Sequence, residues 1–144
     1  MATALDEARA AALSSEVPVG AVVVDGQGQV IGLGRNRNRE RLDPTAHAEI
    51  EAIRAACKTL GQARLDGCDL YVTLEPCPMC AQAIAFAHIR KLVFAAYDPK
   101  GGGVEHGPRI FDQPTCHHHL EVVGGVAETE AQEILKSFFQ ARRD

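Results

Sequence analysis

Residues 70–96, LYVTLEPCPMCAQAIAFAHIRKLVFAA, decide the fold. Leu70–Leu74 has the length and side chains of a strand. Pro78–His88 is an apolar run that opens on proline, the residue suited to a first helical position because its missing N–H costs nothing there. Lys91–Ala96 is strand again, and strand, helix and strand in succession mark a layered α/β domain. Upstream, Val17–Val24 and Gln29–Gly34 are strand candidates separated by Asp25-Gly26-Gln27-Gly28, and Asp-Gly between two such runs signals a hairpin of antiparallel neighbours. Residues 2–14 read as an alanine-rich helix and 35–44 as a polar, arginine-rich loop. Ile50, Ile53, Cys57 and Leu60 then recur at helical spacing until Gly61 stops the element. Residues 98–118 fit no element, and a loop of that length in a compact domain is functional or conceals a short helix. His119–Val123 is a last strand candidate. Ala127, Ala131, Ile134, Leu135 and Phe138 mark a closing amphipathic helix with acids first and bases last, as the helix dipole favours. The reading is a single domain, residues 1–144, built as a three-layer α/β/α sandwich.

The totals agree with one domain: 144 residues can bury one sizeable core, and 46% apolar with 24% charged residues is ordinary globular composition. Met1–Leu13 mixes Asp6, Glu7 and Arg9 among alanines, unlike a signal peptide, and no window approaches the roughly 18 apolar residues of a membrane span. A cytoplasmic protein without membrane contact is expected. In that compartment five cysteines, an odd number, point to metal or nucleophile chemistry rather than a disulfide framework. The net charge of −4 argues mildly against nucleic acid, yet residues 35–41 carry +3 and residues 136–144 carry +2, which leaves −9 on the rest. Positive charge is strongly localised.

Two short strings carry chemistry: His47-Ala48-Glu49 at one helix start and Pro76-Cys77-Pro78-Met79-Cys80 at the next. H-x-E followed by P-C-x-x-C is the signature of zinc-dependent deaminases. Cysteines three apart lie on one helix face, within reach of one ion, and a helix N-terminus lowers the pKa of a thiol. With His47 in the first turn of its own helix, the ligand set is His47, Cys77 and Cys80. Three protein ligands leave a zinc position open, the mark of a catalytic site, where bound water ionises at a pKa of about 7 and supplies a hydroxide nucleophile. Glu49 lies about 200° around a helix from His47, too far to share the ion from mid-helix. At a helix tip both reach one cavity, and a carboxylate beside the water can accept its proton and pass it on to a ring nitrogen and the departing amine. Cys57, Cys68 and Cys116 read as packing residues, and His117-His118-His119 as an exposed polar loop.

The sequence resembles the cytidine deaminase superfamily, and more closely the bacterial tRNA-specific adenosine deaminases. The strings that carry the resemblance are EVPVGAVVV (16–24), Asn36 eleven positions before His47, DPTAHAEI (43–50), LYVTLEPCPMC (70–80), VFAAYDPKGG (93–102) and SFFQARR (137–143). The resemblance implies a mixed five-stranded sheet between helix layers, one zinc ion per subunit, a homodimer, and conversion of adenosine to inosine at the wobble position of a tRNA anticodon. It also implies substrate contacts from Asn36, from the backbone around Ala48 and from Asp98. Without it, Asn36 reads as a turn residue satisfying local backbone. Arg35, Arg37, Arg39 and Arg41, with Lys136, Arg142 and Arg143, are the candidate RNA-phosphate contacts, although an arginine loop is more often a solvated face. Phe138 and Phe139 either stack on bases or, more commonly, pack the last helix onto the sheet. Two other functions compete. A guanine or other free-base deaminase shares the metal site. A non-catalytic zinc or redox module would use Cys77 and Cys80 but has no use for Glu49.

Overall fold

A computed structural model describes residues 1–143. In chain order its elements are α1 (Ala2–Leu13), β1 (Gly20–Val24), β2 (Val30–Arg35), α2 (Asn38–Arg41), α3 (Ala48–Leu60), β3 (Asp69–Leu74), α4 (Pro78–Phe86), β4 (Lys91–Ala96), a 3-10 turn (Ile110–Asp112), β5 (Glu121–Val123) and α5 (Glu128–Arg143). The strands form one sheet in the order β2-β1-β3-β4-β5. β1 is antiparallel to β2 and β3, whereas β4 is parallel to β3 and β5, so the sheet is mixed. α3 and α4 cover one face and α1 and α5 the other, giving the three layers read from the sequence.

Alternate side chains build the larger core. Ala21 and Val23, Leu70 and Val72, and Leu92 and Phe94 turn toward α3 and α4, where they meet Ala48, Ala52, Ala81 and Ile84. Phe94 is fully buried, which is worth about 1.5–3 kcal/mol for a side chain of its class. β2 contributes almost no side chain on this face: a Cβ on Gly32 would lie 2.4 Å from Ala52 O, and one on Gly34 would lie 2.2 Å from Ala48 O. Helix α3 therefore rests its backbone directly on the edge strand. That contact fixes the height of its N-terminus, where His47 and Glu49 are.

Several boundaries differ from the sequence reading for identifiable reasons. β1 begins at Gly20 and not at Val17, because Pro18 has no N–H for a ladder and Val19 N–H instead donates back to Val17 O at 2.8 Å. The loop at 35–44 contains the single turn α2, whose first amides are held by a carboxylate, Glu16. α4 stops at Phe86 and His88 takes a positive φ of 61°. The long segment after β4 hides the 3-10 turn. His118 is not a free surface group: its Nε2 lies 2.6 Å from Ile89 O, and its ring packs on His88 with centroids 4.6 Å apart. Cys68 and Cys116 are buried, and Cys57 packs against the main core.

Candidate metal centre

Two helix N-termini converge on one point. His47 is the N-cap of α3 and Cys77 the N-cap of α4, both with extended backbone, while Cys80 lies in the first turn of α4. His47 Nδ1 is 3.6 Å from Cys77 Sγ and 3.4 Å from Cys80 Sγ, and one ligand atom from each of the three residues lies within 4.8 Å of the others. His47 thus stands just outside the helix rather than in its first turn. Helical spacing no longer separates it from Glu49, and both line the same cavity. The positive ends of two helix dipoles favour negative sulfur here. Cys77 is held down to about 4, chiefly by the Cys80 thiol that hydrogen-bonds its sulfur and then by His47. Cys80 is pushed up by that same bond and by burial, and His47 is raised by its bond to Cys77. Glu49 is 4% exposed, and burial, reinforced by the nearby Cys77 charge, pushes its carboxyl up to about 7.

The cavity measures about 570 Å³, within the size range of small-molecule sites. Besides His47, Glu49 and Cys77 it is lined by Asn36, Arg39, Asp98, Phe138, Phe139 and Arg142, among others. Asn36 bridges three segments: its Oδ1 accepts the Ala48 N–H at 2.8 Å, its Nδ2 donates to Val17 O at 3.1 Å, and its own N–H donates to Val19 O. Its partners are 12 to 19 positions away, so instead of satisfying a local turn it ties the start of α3 to the segment before β1 while lining the cavity.

A family model described as MafB19-like deaminase matches residues 1–143. The chain belongs to this deaminase family. A tRNA-specific adenosine deaminase of Agrobacterium fabrum is 59% identical over 143 residues, 99% of this chain and 93% of the relative. That of Aquifex aeolicus is 45% identical over 98% of this chain and 92% of its own. Among solved structures, one from work on A-to-I editing by tRNA:A34 deaminases at the wobble position of transfer RNA is 61% identical, with a TM-score of 0.92 over 94% of this chain and 97% of that one. A guanine deaminase from Nitrosomonas europaea is 26% identical, with a TM-score of 0.82 over 95% and 81%.

The deaminase holds its arginines unevenly. Arg39 and Arg142 reach the cavity; Arg35, Arg37, Ala48 and Arg143 are not among the described residues that line it. Arg35 pairs with Glu7 at 3.4 Å and Arg37 with Glu40 at 2.7 Å. Arg41 Nε lies 2.9 Å from Glu51 Oε1, a close charge contact without a well-aligned hydrogen bond. Arg142 stacks its guanidinium 3.4 Å over the Phe138 ring. Phe138 is buried, as a packing residue of α5, whereas Phe139 is 45% exposed. Sequence reasoning passed over two buried acids that also line the cavity, Glu16 and Glu75. Glu16 accepts the Arg39 and Glu40 amides at 3.2 and 2.9 Å. Burial pushes the Glu75 carboxyl up, but hydrogen bonds from Asp98, His106 and their neighbours outweigh it and hold it below its ordinary value. No local signal marked either one: the donors that satisfy each buried carboxylate come from residues more than 20 positions away.

Proposed function

We propose that this deaminase converts adenosine to inosine at the wobble position of a tRNA anticodon, as a zinc-dependent homodimer in the cytoplasm. The observation that carries the reading is its full-length likeness, at 59% and 61% identity, to a tRNA-specific adenosine deaminase and to a structure from work on tRNA:A34 deaminases, against 26% and 36% for guanine deaminases among the solved structures. The donor set fits the metal. One imidazole nitrogen and two sulfurs, one of them already favouring the thiolate, are what a borderline-soft divalent ion takes in a three-ligand catalytic site. When bound by His47, Cys77 and Cys80, zinc supplies Lewis-acid activation of the water that attacks the base.

The chain's own residues then manage position and protons. Glu49 ligates nothing in this assignment. Buried in the cavity with a carboxyl near 7, it can take one proton from the attacking water at neutral pH and give it to the ring nitrogen, where inosine keeps it, and then carry the second proton, from the newly added hydroxyl, to the amine that leaves as ammonia. Adenosine and water are consumed, inosine and ammonia produced. Asn36 and Asp98 face the base or its ribose, and the backbone around Ala48 borders the base edge. The Ala48 N–H already serves Asn36, so other backbone groups there make that contact. Adenosine in a loop has to be extruded to enter, which costs a few kcal/mol and is easiest from single-stranded RNA. Arg39 and Arg142 at the cavity are the first cations available to its phosphates, with Arg35, Arg37 and Arg143 further out. The Arg37–Glu40 pair is exposed, and an ion pair of that kind yields readily to a phosphate. Ammonia release from guanine, cytosine, adenosine and an anticodon stem-loop, measured side by side, tests the assignment: the stem-loop is the expected substrate, and rapid turnover of guanine with none of the stem-loop would replace it with the free-base reading.

A further inference from the structure

A buried carboxylate outside the proton-transfer machinery gathers in the loop that carries Asp98. Glu75 follows β3 and immediately precedes Pro76 and the candidate ligand Cys77, and its side chain is 0% exposed. Five donors converge on it, all from residues 98–106. The Asp98 N–H reaches Oε1 at 3.0 Å, and the imidazole Nδ1 of His106 lies 2.8 Å from the same oxygen. The amides of Val104, Glu105 and His106 donate to Oε2 at 3.2, 2.9 and 3.1 Å. A carboxylate accepts this many bonds only when ionised, and bonds to a charged acceptor are roughly twice as strong as neutral ones.

The loop is also pressed onto the ligand segment itself. Gly103 N–H donates to Pro76 O at 2.8 Å, and a Cβ on Gly103 would lie 2.6 Å from Pro78 Cα. A Cβ on Gly102 would lie 2.4 Å from Glu75 Oε2 and 2.6 Å from Asp98 O, so only glycine permits this approach. The Asp98 carboxylate in turn accepts the Lys100 and Gly101 amides at 3.3 and 3.0 Å, which ties its orientation to the loop backbone. Asp98 and Gly101 both line the cavity.

We propose that Glu75 is the positioning residue for this wall of the substrate pocket: by collecting the amides of residues 98–106 and the His106 ring, it fixes Asp98 against the Cys77 segment and sets how tightly the RNA is held. The inference rests on the tRNA reading above and names a determinant of substrate affinity within it. Glu75→Gln keeps size and shape but turns an N–H₂ group toward N–H donors. Gly102→Ala leaves the carboxylate intact and pushes the loop off it, so it tests the same link should Glu75→Gln fail to fold. For each variant, zinc per chain, amide hydrogen exchange across 98–106, and kcat and KM on an anticodon stem-loop are measured. The expected result is retained zinc, faster exchange confined to 98–106, KM raised roughly tenfold, equivalent to about one well-placed hydrogen bond, and kcat within about threefold. Unchanged exchange and KM would overturn the proposal. So would zinc loss, or a fall in kcat at constant KM, since either would place the role of Glu75 at the metal or in the chemistry. If the wild-type protein itself ignores the stem-loop, the tRNA reading fails separately. Exchange and the KM for guanine then decide the role of Glu75.

Discussion

Gly34→Ala should cost far more activity than its single methyl group suggests. A Cβ at residue 34 would lie 2.2 Å from Ala48 O and 2.5 Å from Ala52 N, both backbone atoms of α3 that cannot rotate aside. Restoring ordinary contact requires the helix to lift from β2 by about 1 Å, and overpacking of this kind costs about 1–3 kcal/mol. In a domain of this size that is a fall in Tm of roughly 3–10 °C. Ala48 lies between His47 and Glu49, so the lift occurs at the proposed proton carrier, where a 1 Å misplacement can cost about 100-fold in rate. Gly32→Ala is the matched control. Its Cβ would lie 2.4 Å from Ala52 O, one turn further along α3 from the site, so it should lose comparable stability and much less turnover. Thermal melts, zinc content and stem-loop turnover of the two variants, compared at a temperature where both are folded, make the test. Wild-type turnover in Gly34→Ala, or a larger loss in Gly32→Ala, would refute the claim that the seating of α3 on β2 positions the site.

Cys80→Ala should lose both metal and activity, because only two of the three clustered donors remain; full zinc retention by elemental analysis would remove Cys80 from the ligand set. Replacing Arg142 and Arg143 together with alanine should weaken stem-loop binding and reduce the slope of log affinity against log salt by about 1.4–2 if both contact phosphates, while sparing zinc; an unchanged slope would take the tail out of the RNA interface. Burial pushes the Cys57 and Cys68 thiols above their ordinary value of 9.0, so the thiolate fraction at pH 8 falls below that of a free cysteine. Peptide-mapped thiol labelling of the folded protein should therefore leave both slow at pH 8, and free-cysteine rates at Cys68 would contradict its packing role.

The layered fold was legible because its signals are local. Residues 70–96 change from strand to helix to strand within one stretch, and Asp25-Gly26 names the hairpin. Boundaries moved where a non-local partner or a missing donor decided them: Pro18 delays β1, and the Glu16 carboxylate, distant in sequence, turns part of the arginine loop into α2. The clustering of His47, Cys77 and Cys80 was legible because these residue types and spacings are rare in combination, although the sequence placed His47 one position inside the helix it caps. Glu75 was not, because nothing local distinguishes an acid that will gather a loop more than 20 residues away from one that faces water. The arginine loop was legible as charge but not as pairing, since Glu7 and Glu51 meet Arg35 and Arg41 only after folding; the Arg37–Glu40 pair, three positions apart, is the local exception.

The most direct test of the central claim is mass-spectrometric detection of inosine at the wobble position of an anticodon stem-loop, with wild-type protein and Glu49→Gln compared at equal zinc content. The account expects conversion at that position by the wild type, and the variant to keep zinc and fold while turning over about 10²–10⁴-fold more slowly, the contribution of a positioned acid–base group. Inosine formed by Glu49→Gln at the wild-type rate, or a wild-type protein that leaves the stem-loop unmodified while consuming guanine, would contradict it.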